Sequence, residues 1–254
     1  MKQTIIAVIN QKGGVGKTTT AVNLASQLGS DSFSTLLVDL DPQGNATSGL
    51  GLSKDEIGPT VYEILFGHST LDQTVRSTNR NNFFVLPANP NLAAAEVELV
   101  NVSRREFCLQ DALKLAVYDY IIIDCPPALG LLTVNALTAA TDILIPVQSE
   151  YYALEGLGQL LATIQRVKQG VNPNLELLGV LLTMFDKRTS LSEQVMQELR
   201  THFGDKLFKT VVPRNVRLAE APSFGKTIFE HDRWSKGARA YKQLAKEVEK
   251  RVNG

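Results

Sequence analysis

The stretch Thr4-Ile-Ile-Ala-Val-Ile-Asn-Gln-Lys-Gly-Gly-Val-Gly-Lys-Thr-Thr-Thr20 decides the fold of this chain. Thr4 to Ile9 is a short, nearly continuous apolar run, the pattern of a strand buried on both faces. A glycine loop follows, and then a helical pattern from about Lys17 to Leu28. Between a strand and a helix, such a loop lets successive backbone N–H groups converge on a phosphate at the helix N-terminus. Lys17 supplies a point charge for the β- and γ-phosphates, and Thr18 a hydroxyl for Mg²⁺. The strict phosphate-loop pattern has Gly at position 11, where this chain has Gln11, and a second lysine, Lys12, lies inside the loop.

Outward from that unit the same alternation repeats. Residues 34–39, 83–86, 120–124, 142–147, 177–182 and 207–212 read as further strands, and helical patterns lie near 60–67, 91–116, 153–169, 190–203 and 237–252. Continuous apolar strands separated by helices predict an α/β fold, a doubly wound, mostly parallel sheet flanked by helices. No Pro-, Ser- or Gly-rich linker and no internal repeat interrupts it, so residues 1–254 are expected to form one domain.

Composition narrows the class. With 254 residues, 44% hydrophobic and 20% charged, the chain is neither disordered nor low-complexity. Two cysteines give neither a disulfide framework nor a CxxC pair, which fits a reducing cytosol. The longest apolar runs are strand-length, and no signal peptide is expected. Net charge is zero, but residues 1–183 carry 11 Lys/Arg against 17 Asp/Glu, and residues 184–254 carry 15 against 9. An acidic body with a basic last quarter points towards nucleic acid or a membrane surface.

Two carboxylate sites complete the chemistry. Asp124 ends the apolar run Tyr120 to Asp124, where a side chain leaves a parallel sheet at its ligand-binding carboxyl edge, a position suited to Mg²⁺. Asp39 and Asp41, in Asp39-Leu-Asp-Pro-Gln-Gly-Asn45, fall on one side of a strand end. One of the pair organises Mg²⁺ or a switch loop while the other polarises a water, or Asp41-Pro42 is turn chemistry. The absence of an Asn-Lys-x-Asp guanine-reading segment favours ATP over GTP.

Lys12-Gly-Gly-Val-Gly-Lys-Thr-Thr19 is similar to the deviant Walker A loop of the ParA/MinD family of P-loop ATPases. Asp39 to Asn45, Ile122-Ile-Asp-Cys-Pro-Pro127 and Val212-Pro-Arg-Asn-Val-Arg217 resemble its ParA/Soj branch, and the resemblance runs from about residue 3 to 245. It implies an ATP-dependent sandwich homodimer in which Lys12 of one subunit reaches the phosphates bound by the other, held in the loop Gly13, Gly14, Val15, Gly16, Lys17, Thr18 and Thr19. By the same resemblance Asp41 positions the attacking water, Asp124 is the Walker B acid, and Met184, Pro213 and Asn215 are adenine-side contacts. Arg188 and Arg217 match arginines to which the family assigns contact with non-specific double-stranded DNA, and Lys187, Arg214 and Lys226 join them by charge and proximity. Weak basal ATP hydrolysis, a ParB/Spo0J-type centromere-binding partner and a nucleoid-associated cytoplasmic location are further implications.

Other readings have their own signatures. A membrane-positioned relative needs bulky apolar residues on a terminal amphipathic helix, whereas residues 236–252 offer Ala238, Tyr241, Leu244, Ala245, Val248 and Val252 among interspersed acids; no membrane partner is expected. An iron–sulfur cluster needs cysteines in glycine-rich ligand loops, and Cys108 and Cys125 are not so placed. His68, His202 and His231 show no metal-ligand spacing. A relative that positions or regulates through a protein scaffold would lack a functional Arg188/Arg217 patch, and a metabolic ATPase would need a second pocket motif. No amino-terminal helix-turn-helix domain is expected. Glu150 follows a strand end and could face a partner's nucleotide. Tyr151, Tyr152, Phe83 and Phe84 read as packing or interface residues, and segment 68–82, with Arg76 and Arg80, as an exposed loop.

Overall fold

A computed structural model describes residues 3–150 and 156–253. Its strands are β1 (Thr4–Val8), β2 (Thr35–Asp39), β3 (Arg76–Ser77), β4 (Phe83–Leu86), β5 (Tyr120–Asp124), β6 (Asp142–Gln148) and β7 (Glu176–Thr183). Among the described residues they form a seven-stranded sheet ordered β3-β4-β2-β5-β1-β6-β7. All pairings are parallel except β3 with β4. The predicted α/β class is therefore the observed one.

Both faces of the sheet are covered, which is why its strands read as unbroken apolar runs. Ile6, Val8, Leu37, Phe83, Tyr120 and Ile122 face a layer containing α1 (Lys17–Ser30) and α12 (Lys236–Asn253), with Leu24, Leu28, Tyr241 and Leu244 fully buried between them. Ala7, Leu36, Val38, Ile121 and Ile123 face the opposite layer, formed among others by α3 (Val61–Leu65), α5 (Leu92–Glu98), α6 (Cys108–Leu113), α7 (Leu131–Ala139), α8 (Leu157–Gly170) and α9 (Ser190–Phe203). Short helices α2 (Asn45–Gly49), α4 (Leu71–Thr74), α10 (Val216–Glu220) and α11 (Ile228–His231) shape the loops.

Three expectations are corrected. Residues 207–212 form no strand; they touch β7 through the isolated bridge Val180–Leu207 and the amides of Phe208 and Val212, which donate to Val180 O and Leu182 O at 2.9 Å each, and a second isolated bridge, Phe185–Pro213, follows just beyond both segments. The Glu247 carboxylate accepts the Lys209 and Thr210 amides at 2.8 and 2.9 Å, drawing the middle of the segment out of the ladder. The long pattern 91–116 breaks after Asn101 and resumes at Cys108, with Arg104 at φ +55° and the Asn135 amide holding the break through Leu109 N and Arg105 O. Segment 68–82 contains α4 and the edge strand β3 rather than loop alone. Phe83 is core, and Phe84 is half-buried against Tyr118. Tyr151 and Tyr152 lie outside the described residues.

Candidate nucleotide site and basic surface

The order β2-β5-β1 brings three strand ends together at the carboxyl edge of the sheet. β1 runs into the glycine loop, β5 ends in Asp124 and β2 in Asp39; Asp39 and Asp124 are register neighbours, and Val8 pairs with Asp124 on the other side. The loop needs its glycines: Gly14 and Gly16 sit at φ +75° and +86°, where a side chain is strained. Val15 is buried beneath, and its carbonyl accepts the Thr183 hydroxyl at 2.8 Å from the end of β7. Asn10 ties the loop down from the other end, donating to Pro146 O at 2.7 Å and accepting the Lys12 amide at 3.0 Å. Gly13, Gly14 and Lys12 remain exposed, with Thr18 and Thr19 half-buried at the start of α1.

Lys17 is 7% exposed and donates to the Lys12 carbonyl at 3.0 Å. Burial lowers its pKa, while Asp124, Cys125 and Asp41 pull it back up. Asp124 is fully buried, and neither carboxylate oxygen has a hydrogen-bond partner. Burial and then the Asp39 charge push its pKa well above the usual carboxylate range; the Thr18 hydroxyl and Lys17 oppose the shift, the hydroxyl without a hydrogen bond of regular geometry. Orphaned buried carboxylates are rare because an unsatisfied charge costs several kcal/mol, on the order of 3–5 when a partner is lost. Such a group invites a cation.

Asp39, equally buried, is differently engaged. Its Oδ2 accepts the Thr47 amide and hydroxyl at 2.8 and 2.7 Å, and its Oδ1 the Asp41 amide at 3.3 Å. The Thr47 hydroxyl in turn accepts the Ala88 amide at 2.9 Å. Burial raises the Asp39 pKa to about 6 against these hydrogen bonds. Asp39 thus ties down the backbone of Asp41 and Thr47 and sits beside the Asp124 carboxylate. Asp41 itself is 6% exposed, accepts the Gln43 amide at 2.9 Å, and acts electrostatically on both Lys17 and Asp124. Thr47 and Thr183 support the site, yet a lone threonine carries no sequence signal; Asn10 sat in the quoted motif without an assigned role. Among the described residues no group of three or more His, Cys, Asp or Glu forms a metal cage. Mg²⁺ does not need one, since it takes one or two protein ligands plus phosphate oxygens.

Beside the loop lies a cleft of about 310 Å³ lined by Gly16, Thr19, Met184, Pro213, Asn215 and Tyr241, among others. The three residues expected on the adenine side thus share one cavity with the glycine loop. Met184 holds φ +52°, its carbonyl accepting the Ser149 hydroxyl at 3.1 Å. Glu150 lies in the same chain as the lysine it contacts: its Oε2 meets Lys12 Nζ at 2.6 Å, and its Oε1 accepts Gln148 Nε2 at 2.5 Å.

A family model described as an AAA domain matches residues 3–177. The chain is 57% identical over 249 residues to the chromosome partitioning protein ParA of Myxococcus xanthus, covering 97% of this chain and 88% of that one. It is 55% identical over 246 residues to the sporulation initiation inhibitor protein Soj of Bacillus subtilis, covering 96% and 97%. The chain belongs to the ParA/Soj family of partitioning ATPases. Among solved structures, the crystal structure of a cobyrinic acid a,c-diamide synthase from Mycobacterium smegmatis with bound ADP and magnesium superposes with a TM-score of 0.87 at 39% identity, covering 99% of this chain and 96% of that one. The shared architecture is a P-loop ATPase fold.

The basic residues of this ParA/Soj chain form a looser group. Lys187, Arg188, Arg214, Arg217 and Lys226 are all exposed. The Arg214 amide donates to Phe185 O at 3.1 Å, bringing the 185–188 turn and the 213–217 segment together. Arg188 is folded back on Asp186 through Nε and Nη2 at 2.9 and 2.7 Å, which holds the Asp186 carboxyl far below its usual range. Arg217 meets Glu220 at 2.9 Å and Asp232 at 3.7 Å. No hydrogen bond or ion pair links the Lys226 side chain to this group among the described residues. His231 lies 3.4 Å from Glu220 and stacks on Phe224, a packing role. No described helix is long and apolar enough to cross a membrane.

Proposed function

We propose that the chain is a one-domain, DNA-segregating ATPase in which Mg-ATP drives a sandwich homodimer that binds double-stranded DNA without sequence preference. A ParB/Spo0J-type partner would speed a slow basal hydrolysis and release the DNA, in the cytoplasm at the nucleoid. One observation carries the reading. The glycine loop, the unpartnered Asp124 and the Met184/Pro213/Asn215 cleft converge at one sheet edge, in a chain 57% identical to a chromosome partitioning protein.

In this reading the loop amides from Gly13 to Thr19 and Lys17 bind the phosphates, and the Met184–Asn215 cleft orients the base. Thr18 and Asp124 would hold Mg²⁺, with Asp39 beside them ordering the Asp41 segment. The ion supplies charge neutralisation on the phosphate oxygens. Asp41 orients water for attack on the γ-phosphate. Lys12, released from Glu150, crosses to the partner's nucleotide, where a cation both joins the subunits and offsets charge developing in the transition state. Dimerisation places two copies of the Arg188/Arg217 group on one body, so avidity makes DNA affinity depend on nucleotide state. A small-molecule synthase activity, suggested by the Mycobacterium smegmatis neighbour's name, is less supported than partitioning, because relatives named for partitioning match at higher identity.

Co-sedimentation of Asp41→Ala with non-specific duplex, in ATP and in ADP across a salt series, tests this. The expected outcome is binding with ATP alone, falling steeply with salt. Dimerisation without DNA binding would move the reading to a protein-scaffold positioning ATPase.

A further inference from the structure

Away from the nucleotide, the carboxyl-terminal end of α1 meets the start of α12 around a groove of about 470 Å³. Four cations line it: Arg80, Arg233, Arg239 and Lys242. With α1 running 14 residues from Lys17 to Ser30, the groove lies about 20 Å from the glycine loop at the 1.5 Å helical rise.

The cations outnumber the acids here, since among the described residues Asp31 is the one carboxylate lining the groove. Among the described residues Arg233, Arg239 and Lys242 make no ion pair. The acids close by keep their charge but pair elsewhere: Asp31, which lines the groove, accepts Gln27 Nε2 at 2.8 Å, Glu230, whose charge Arg80 feels, accepts the Thr227 amide and hydroxyl at 2.9 and 2.7 Å, and Asp232 faces Arg217 and accepts the Trp234 amide. The C-terminal dipole of α1 is worth about half a charge, too little for four cations. Lys236, Arg239 and Lys242 also occupy the first two turns of α12, with no acid in its first turn, at the helix end where the macrodipole disfavours cations. Arg80 lies over the Phe229 ring, donates to the Ser30 hydroxyl, and keeps a buried Nε without a partner.

At the rim stands Trp234, 73% exposed, with the Arg233 guanidinium 4.7 Å from its ring centre. An exposed indole beside a cationic groove is the pairing by which proteins hold single strands, a base on the ring and phosphates on the basic residues. A membrane surface fits less well, since it needs a broad apolar face and Trp234 is the lone bulky apolar group lining this groove at high exposure.

The geometry points to a second nucleic-acid site: Arg80, Arg239 and Lys242 hold the phosphates of a single strand while a base stacks on Trp234. The site belongs to one chain and does not depend on ATP, on the sandwich dimer or on Arg188 and Arg217, so it stands or falls separately from the proposed duplex binding.

Trp234 is the only tryptophan, so its fluorescence reports the contact directly. Nucleotide-free protein carrying Arg188→Glu and Arg217→Glu is titrated at low salt with oligothymidylate of about a dozen nucleotides, within the usual site size for single-strand grooves. The expected result is quenching that weakens as salt rises and disappears when Arg239→Glu and Lys242→Glu are added, with circular dichroism unchanged. With labelled oligothymidylate, Trp234→Ala is expected to weaken binding roughly five-fold or more. Absence of quenching, quenching that survives the Arg239/Lys242 change, an equal response to thymidine monophosphate, or a response to anionic vesicles instead of the oligonucleotide would each overturn the proposal.

Discussion

The nucleotide edge and the basic surface differ in how they hold charge. At the edge, Lys17, Asp39 and Asp124 are buried, and neither Asp124 oxygen has a hydrogen bond of regular geometry. On the surface, Arg188 is 88% exposed and already bonded to Asp186, and Arg217 is shared between Glu220 and Asp232. The first region carries an electrostatic cost that a cation and phosphates would relieve. The second is neutralised in advance, and any phosphate must compete with carboxylates already in place. Strong, specific binding is expected from the former and weak, salt-sensitive binding from the latter.

The sharpest way to break this contrast is Lys17→Ala. Removing one member of a buried charge contact costs on the order of 2–5 kcal/mol, so ATP binding by calorimetry is expected to fall at least thirty-fold; an affinity within a few-fold of the parent would show that the edge does not work through Lys17. Next comes Asp124→Asn, which should act in two directions. Mg²⁺-dependent ATP hydrolysis is lost, while the protein without nucleotide melts higher, because the neutral amide removes the buried negative charge that Asp39 opposes. A lower melting temperature would mean that the Asp124 charge is already compensated.

Arg188→Glu with Arg217→Glu tests the other side. Duplex affinity should drop and the slope of log affinity against log salt should flatten by about one per lost phosphate contact, with the melting temperature unmoved. A slope identical to the parent's would remove both arginines from the interface. The smallest effect is expected at Glu150→Gln. It frees Lys12 from a half-exposed ion pair of the sort worth under about 1 kcal/mol, so ATP-dependent dimerisation followed by sedimentation velocity should tighten by less than about five-fold. A weakened dimer would instead assign Glu150 to the partner's nucleotide.

What could be read from the sequence follows the same division. The loop, β1, β2, β5 and the carboxyl edge were legible because buried parallel strands and a glycine turn leave strong local patterns. The distinct conditions of Asp39 and Asp124 were not, since both end apolar strands and it is Thr47, brought in by the α2 turn, together with the Asp41 amide, that separates them. Residues 207–212 look like a strand, but the Lys209 and Thr210 amides donate to Glu247 on α12 and the Leu207 carbonyl accepts from Arg251, side-chain bonds that only the fold brings there. The break near Arg104 depends on Asn135, about thirty residues on. The acids that occupy Arg188 and Arg217 were present in the sequence, but Asp232 reaches Arg217 only through the fold.

Asp186 beside Arg188 bears on residence time. If Arg188 meets duplex as proposed, an arriving phosphate would displace a carboxylate, and the same carboxylate, two residues away, would reclaim the guanidinium when the phosphate drifts. Exchange of one anion for another leaves little net enthalpy and a low barrier in both directions. Under the proposed duplex binding, such a contact would shorten residence on any one stretch, so that re-encounter rather than release would set the pace of movement.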